Sequence, residues 1–125
     1  NVFVAEFIGN PKMNIIKIKK EDIINKNTLN LFNKIIKFEN SNFNSDLYIG
    51  IRPEDISLEN KSEIAVEITI ELIENLGSEK IIYSHLNGTE IRIKSSKNIK
   101  DKNIIIYLPK NKLYLFDNNK NRLKT

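Results

Sequence analysis

Arg52 and Glu54, standing either side of Pro53, are the charged pair in this sequence best spaced to act together. Held by the fixed backbone of a proline, a guanidinium and a carboxylate at this separation can brace a turn through a charged hydrogen bond or meet a partner protein. Catalysis asks for more, because no nucleophile and no second poised acid accompanies them. Glu71 and Glu74, three apart, have the composition of a carboxylate pair, but at a strand end they are expected to face solvent rather than a metal. His85 is the single histidine, beside a tight turn and without a cysteine or second histidine to complete a ligand set, so it reads as a surface strand residue. Cysteine is absent, which removes disulfides, thiolate metal sites and a thiol nucleophile. These residues are not arranged for chemistry on a bond.

Binding is the other use of such a composition. Four tyrosines, six phenylalanines and a formal charge of +4 raise the question of nucleic acid, since small β domains stack bases on exposed aromatics beside lysines. Most of these aromatics sit within apolar alternation and are better used in a core. The lysines are scattered, as on a solvated face, and the positive charge permits an acidic partner without requiring one. A single-stranded nucleic-acid-binding module is therefore the alternative reading, and nucleic acid is not the expected partner.

The elements that must position these groups centre on Leu47 to Leu58. Leu47, Ile49 and Ile51 alternate with Tyr48 and Gly50 as a half-buried strand does, and Pro53 ends it while holding Arg52 extended. Gly50 among bulky neighbours points to a bulge or a close approach by another backbone. Upstream, Phe3, Val4, Phe7 and Ile8 form one apolar stripe on a short helix capped by Asn1 and stopped by Gly9; nine residues need a surface to dock on. A strand follows at Met13 to Ile18. For Glu21 to Phe38, periodicity favours a helix and composition favours a hairpin turning at Asn33-Lys34; the hairpin is the expectation adopted here. Downstream, Ile64 to Ile73 reads as one long strand, Ile81 to Leu86 and Glu90 to Lys94 flank an Asn87-Gly88 hairpin turn, and Ile104 to Leu108 and Leu113 to Phe116 supply the last two strands. The expected fold is all-β, a small barrel of oligonucleotide-binding (OB) type with a short N-terminal helix. No run approaches the ~18 apolar residues of a membrane span, and the default location is cytoplasmic.

Four stretches in this order carry a resemblance: Phe3-Val-Ala-Glu-Phe-Ile-Gly-Asn-Pro-Lys-Met-Asn, Gly50-Ile-Arg-Pro-Glu-Asp, Glu74-Asn-Leu-Gly and Leu113-Tyr-Leu-Phe-Asp. Together they resemble the C-terminal regulatory, TOBE-like domain of the ATP-binding subunit of sugar-type ABC importers, the maltose, sn-glycerol-3-phosphate and multiple-sugar group. The resemblance implies that residues 1–12 are a short helix and linker from the end of a nucleotide-binding domain lying outside this sequence, and that residues 13–125 are the regulatory domain. It implies a dimerisation and regulatory module located at the inner face of the cell membrane. The implied partners are a second copy, the chain's own nucleotide-binding domain, transmembrane permease subunits and a cytoplasmic regulatory protein.

The Gly-x-x-x-x-Gly-Lys-Ser/Thr phosphate loop is absent from this sequence. No enzyme activity, catalytic residue, metal or cofactor is therefore assigned to it, and ATP and magnesium belong to the domain outside it. The structural or interface candidates are Phe3, Phe7, Arg52, Pro53, Glu54 and Gly77. Two departures from the family pattern stand out: the region from Glu21 to Phe38 does not follow it, and Asn121 is expected in the left-handed position that a glycine usually holds near the end. A small-oxyanion pocket, as in related molybdate-binding modules, is a further alternative, although those come as shorter repeated units and no internal repeat is visible here.

Overall fold

The computed structural model describes residues 12–123 and Thr125, so the expected N-terminal helix with Phe3 and Phe7 lies outside the described residues. Eleven strands follow one another: β1 (Asn14–Ile18), β2 (Ile23–Asn25), β3 (Thr28–Leu31), β4 (Lys34–Lys37), β5 (Leu47–Ile51), β6 (Ala65–Thr69), β7 (Leu72–Asn75), β8 (Lys80–Leu86), β9 (Thr89–Ser95), β10 (Asn103–Tyr107) and β11 (Tyr114–Asp117). Between them lie single 3-10 turns at Lys20–Asp22, Pro53–Asp55 and Lys110–Lys112. The all-β class is as expected.

The alternating strand of the sequence is the middle of its sheet, β1-β5-β11. Ile16 and Ile18 on β1 face Ile49 and Leu47 on β5, and Leu115 on β11 faces Ile49 from the other side. That apolar row joins Leu29, Leu31, Ile36 and Phe38 from β2-β3-β4 and the segment after it, Ile82, Ile91 and Ile93 from β7-β8-β9, and Ile68 and Ile106 from β6-β10. All of them are buried in one continuous core. Burial of such side chains, each contributing about 1.5–3 kcal/mol, is what holds four small sheets together.

The sheets do not close into the barrel expected. The reason lies at Ile70-Glu71. The long strand expected over Ile64 to Ile73 breaks there: β6 pairs with β10, whereas β7 pairs with β8 in another sheet. The break also changes which face is inward, so Leu72 is 60% exposed although strict alternation would bury it. Where no backbone ladder spans two sheets, buried side chains bond across the seam. Asn14 Nδ2 donates to the carbonyl of Arg92 (2.9 Å) while the Arg92 N–H donates to Asn14 Oδ1 (2.8 Å), linking β1 to β9. Ser84 Oγ donates to the carbonyl of Thr69 (2.6 Å), linking β8 to β6.

The hairpin over residues 21–38 forms, with β2 added as a third strand that the sequence did not suggest. Its turn sits one residue earlier than expected, at Phe32-Asn33, both at positive φ (50° and 68°), the twist a two-residue hairpin needs. Asn87-Gly88 turns β8 into β9 as expected, also at positive φ. Gly50 sits in unbroken register with Ile15 and Tyr114, so it is no bulge. Side chains rather than another backbone approach it, and a Cβ there would lie 2.6 Å from Met13 Sδ. Near the end it is Lys120 (φ 67°), not Asn121, that takes the left-handed position. Asp117 Oδ1 accepts from the N–H groups of both Asn119 and Asn121 at 2.9 Å, and those bonds set the turn around Lys120.

Within β3, Asn30 Oδ1 is enclosed and has no hydrogen-bond partner among the described residues. An unpartnered buried oxygen costs about 1–3 kcal/mol, and a β-branched side chain suits a strand better. Asn30→Val is accordingly expected to raise stability by about 1 kcal/mol in urea denaturation.

Candidate functional site

The Arg52-Pro53-Glu54 segment is set by β5. The strand carries the chain out of the core at Ile51, Arg52 stays extended (φ −72°, ψ 144°) as a residue before proline must, and Pro53 opens the 3-10 turn. Pro53 is buried, the Asp55 N–H donates to the Arg52 carbonyl (2.9 Å), and the chain returns to the core at Ile56. That backbone bond helps brace the turn. The Arg52 Cζ lies 5.5 Å from the centre of the Tyr114 ring, and Arg122 Cζ lies 4.2 Å from the same centre. Two guanidinium groups thus share one partly buried ring, Arg122 from an exposed position, each contact contributing about 0.5–1 kcal/mol. Glu54 stays exposed beside it. The sequence does not connect Tyr114 or Arg122 with Arg52, since nothing in their spacing foretells that β11 pairs with β5.

Gly77, the remaining described candidate, is a turn residue. It sits between β7 and β8 at φ +87°, with open space where a side chain would be. Its requirement is conformational, because L residues are strained there. Gly77→Ala is expected to lower stability by roughly 1 kcal/mol through that strain, with no change in what the surface binds.

The potential catalytic groups are used in local pairs. His85 Nδ1 lies 2.9 and 3.0 Å from the two oxygens of Glu71, placing a proton on Nδ1 between them. The Tyr83 hydroxyl donates to Glu74 Oε1 at 3.2 Å. Glu71 and Glu74 therefore serve different partners, and among the described residues no group of three or more His, Cys, Asp or Glu is placed to hold a metal ion. Burial, and then the neighbouring Glu74 charge, raise the Tyr83 phenol above its ordinary value of 10.0. A group raised in the fold stabilises it below its unfolded pKa and loses that contribution as pH rises through the folded one, so Tyr83 weakens the fold only above about pH 10. Phenolate absorbance should show one tyrosine titrating late, and Glu74→Gln should move it down. At Glu59 the Lys97 ammonium (2.5 Å) and then Lys61 hold the carboxyl below its usual range. That contribution is present above the unfolded carboxylate pKa and is lost as pH falls through the folded one; the pair is exposed and its effect small.

Phe38, Phe43 and Phe116 are buried, and Phe32, Tyr48, Tyr83, Tyr107 and Tyr114 are only partly accessible. Among the described residues no aromatic is fully exposed, as the rings of a base-stacking platform commonly are. Nor is any helix among them long and apolar enough to cross a membrane.

Residues 49–103, which hold Arg52, Pro53, Glu54 and Gly77, match the TOBE domain family. The chain is 33% identical to the osmoprotective compounds uptake ATP-binding protein of Synechocystis, over 94% of this chain and 36% of that protein. It is 38% identical to an sn-glycerol-3-phosphate import ATP-binding protein of Psychromonas ingrahamii, over 66% of this chain and 21% of that one. It is 37% identical to a multiple sugar-binding transport ATP-binding protein of Streptococcus mutans, over 72% and 27%. The chain thus spans about a third or less of the length of these relatives. Residues 49–103 thus carry the match to the TOBE domain family, and the chain as a whole is similar to the C-terminal regions of ABC transporter ATP-binding subunits.

Proposed function

We propose that this chain is the regulatory and dimerisation domain of the ATPase subunit of an ABC importer for sugars or related solutes. The observation that carries the reading is the similarity along 94% of the chain to an uptake ATP-binding protein, beside a sequence without the Gly-x-x-x-x-Gly-Lys-Ser/Thr loop. On this reading residues 1–12 continue from a nucleotide-binding domain, and that domain supplies ATP and magnesium. This domain is not itself catalytic. It keeps two ATPase subunits together beneath their permease subunits, at the cytoplasmic face of the membrane, and offers a surface to a regulatory protein. No specific observation favours the nucleic-acid or oxyanion alternatives.

Arg52→Ala in the full-length parent tests this role. Loss of a contact between subunits predicts impaired pairing, by light scattering, or altered control of transport, with the fold and ATP binding kept. Loss of the Tyr114 stack alone predicts a modest fall in stability of this domain. Abolished ATP binding in an intact, assembled parent would show that the segment handles nucleotide and would overturn the proposal, as would a parent with no phosphate loop upstream. For the nucleic-acid alternative, affinity for single-stranded oligonucleotides should be weak and vanish between ~50 and ~200 mM salt, as a few phosphate contacts do; binding that survives would revive it.

A further inference from the structure

β4 is the outer strand of the sheet β2-β3-β4. Its pairing with β3 through a two-residue turn makes Leu31/Lys34 and Leu29/Ile36 the pairs that exchange backbone hydrogen bonds. The N–H and C=O groups of Ile35 and Lys37 consequently point away from β3, and among the described residues no strand pairs with them. Beside that edge lies a groove of about 570 Å³, walled on the far side by Ile64, Pro109 and Lys110. Ile35, at its near side, is 62% exposed.

The charge along this groove is one-sided. Lys37, Lys61 and Lys110 line it against the single acid Glu63. Lys61 also pairs with Glu59 (3.2 Å), and Lys110 Nζ lies 5.5 Å from the Phe38 ring centre. A free strand edge with an apolar side chain and flanking ammonium groups is the arrangement that receives an added strand, backbone bonds supplying affinity and side chains specificity. We propose that the edge of β4 takes up an extended, acidic peptide segment of a partner protein. A second copy of this chain fits poorly: it would bring the same lysines, Lys34 and Lys37, to an edge and groove already rich in ammonium groups, whereas an acidic segment offsets that charge. The inference stands on this edge and its charge and does not depend on the transporter reading.

The test is titration of the intact chain with a short synthetic peptide of alternating Glu and Val, followed by amide shifts of Ile35 and Lys37. Saturable shifts are expected, with the lysine-for-glutamate peptide at least about tenfold weaker and Lys37→Glu reversing that preference. N-methylation of the peptide amides that face β4 should abolish binding. So should Ile35→Pro, which removes an outward N–H at an edge position where proline is tolerated, leaving the denaturation midpoint little changed. If no saturable shift appears, or the N-methylated peptide binds as well as the parent, the lysines only guard an edge against aggregation. Concentration-dependent self-association lost in Ile35→Pro would instead assign the edge to a second copy. Each of these results overturns the proposal.

Discussion

Replacing Asn14 by alanine is expected to cost about 3 kcal/mol, more than any exposed charge on this surface contributes. Asn14 is fully buried, and its amide answers both backbone groups of Arg92 across a seam that no ladder bridges. Two hydrogen bonds contribute only about 0.5–1.5 kcal/mol each when exchanged for water, but alanine would leave a buried N–H and a buried C=O unpaired at about 1–3 kcal/mol apiece. Asn14→Asp separates the two bonds. Ionised, it keeps the acceptor for the Arg92 N–H, loses the donor and buries a carboxylate beside a carbonyl; protonated, its O–H again offers that carbonyl a donor. Burial would raise its pKa, so its folded form would be the protonated one. Stability of that variant should rise as pH falls, opposite in sign to an ordinary paired carboxylate. Urea midpoints across pH are the measurement. An alanine variant within about 0.5 kcal/mol of the parent would mean the amide does not hold β1 to β9.

Gly50→Ala is the second large effect, at about 2 kcal/mol, from overpacking rather than from lost bonds. The added Cβ would stand 2.6 Å from Met13 Sδ and 3.3 Å from the Phe116 ring, both buried side chains. Methionine adapts well, but at 3% exposure Met13 has little free volume to move into. Met13→Ala alone opens a cavity and costs about 2–5 kcal/mol. In the double variant the new methyl enters space the methionine vacates, so the two costs should fall short of their sum by 1 kcal/mol or more. Strict additivity in this cycle would show that the clash with Met13 is not what reserves the position for glycine.

Much of this molecule is legible in one dimension. Period-two alternation found β5 and β9, while short apolar runs between turns marked β8 and β10, and both signals are local properties of the chain. Asn87-Gly88 announced its turn because positive φ is cheap for those residues. Pro53 announced the exit from β5 because proline lacks the N–H a ladder needs.

Other features needed the fold. The break at Ile70-Glu71 is invisible because Ile64 to Ile73 keeps alternating through it, and only competition between β8 and β10 for partners splits the strand. Phe32 in a left-handed turn contradicts its own preference and is carried by the pairing of β3 with β4. Asn14 appeared in the sequence as part of a family motif, with no hint that its amide meets Arg92, because a bond across 78 positions depends on which sheets abut. The Arg52-Tyr114-Arg122 stack and the lysine-lined edge of β4 arise in the same way. Sequence by itself determined where strands and turns could form, since those depend on neighbouring residues. The tertiary structure decided which strands pair, which faces close and which charges converge, because these depend on contacts between residues far apart in the chain.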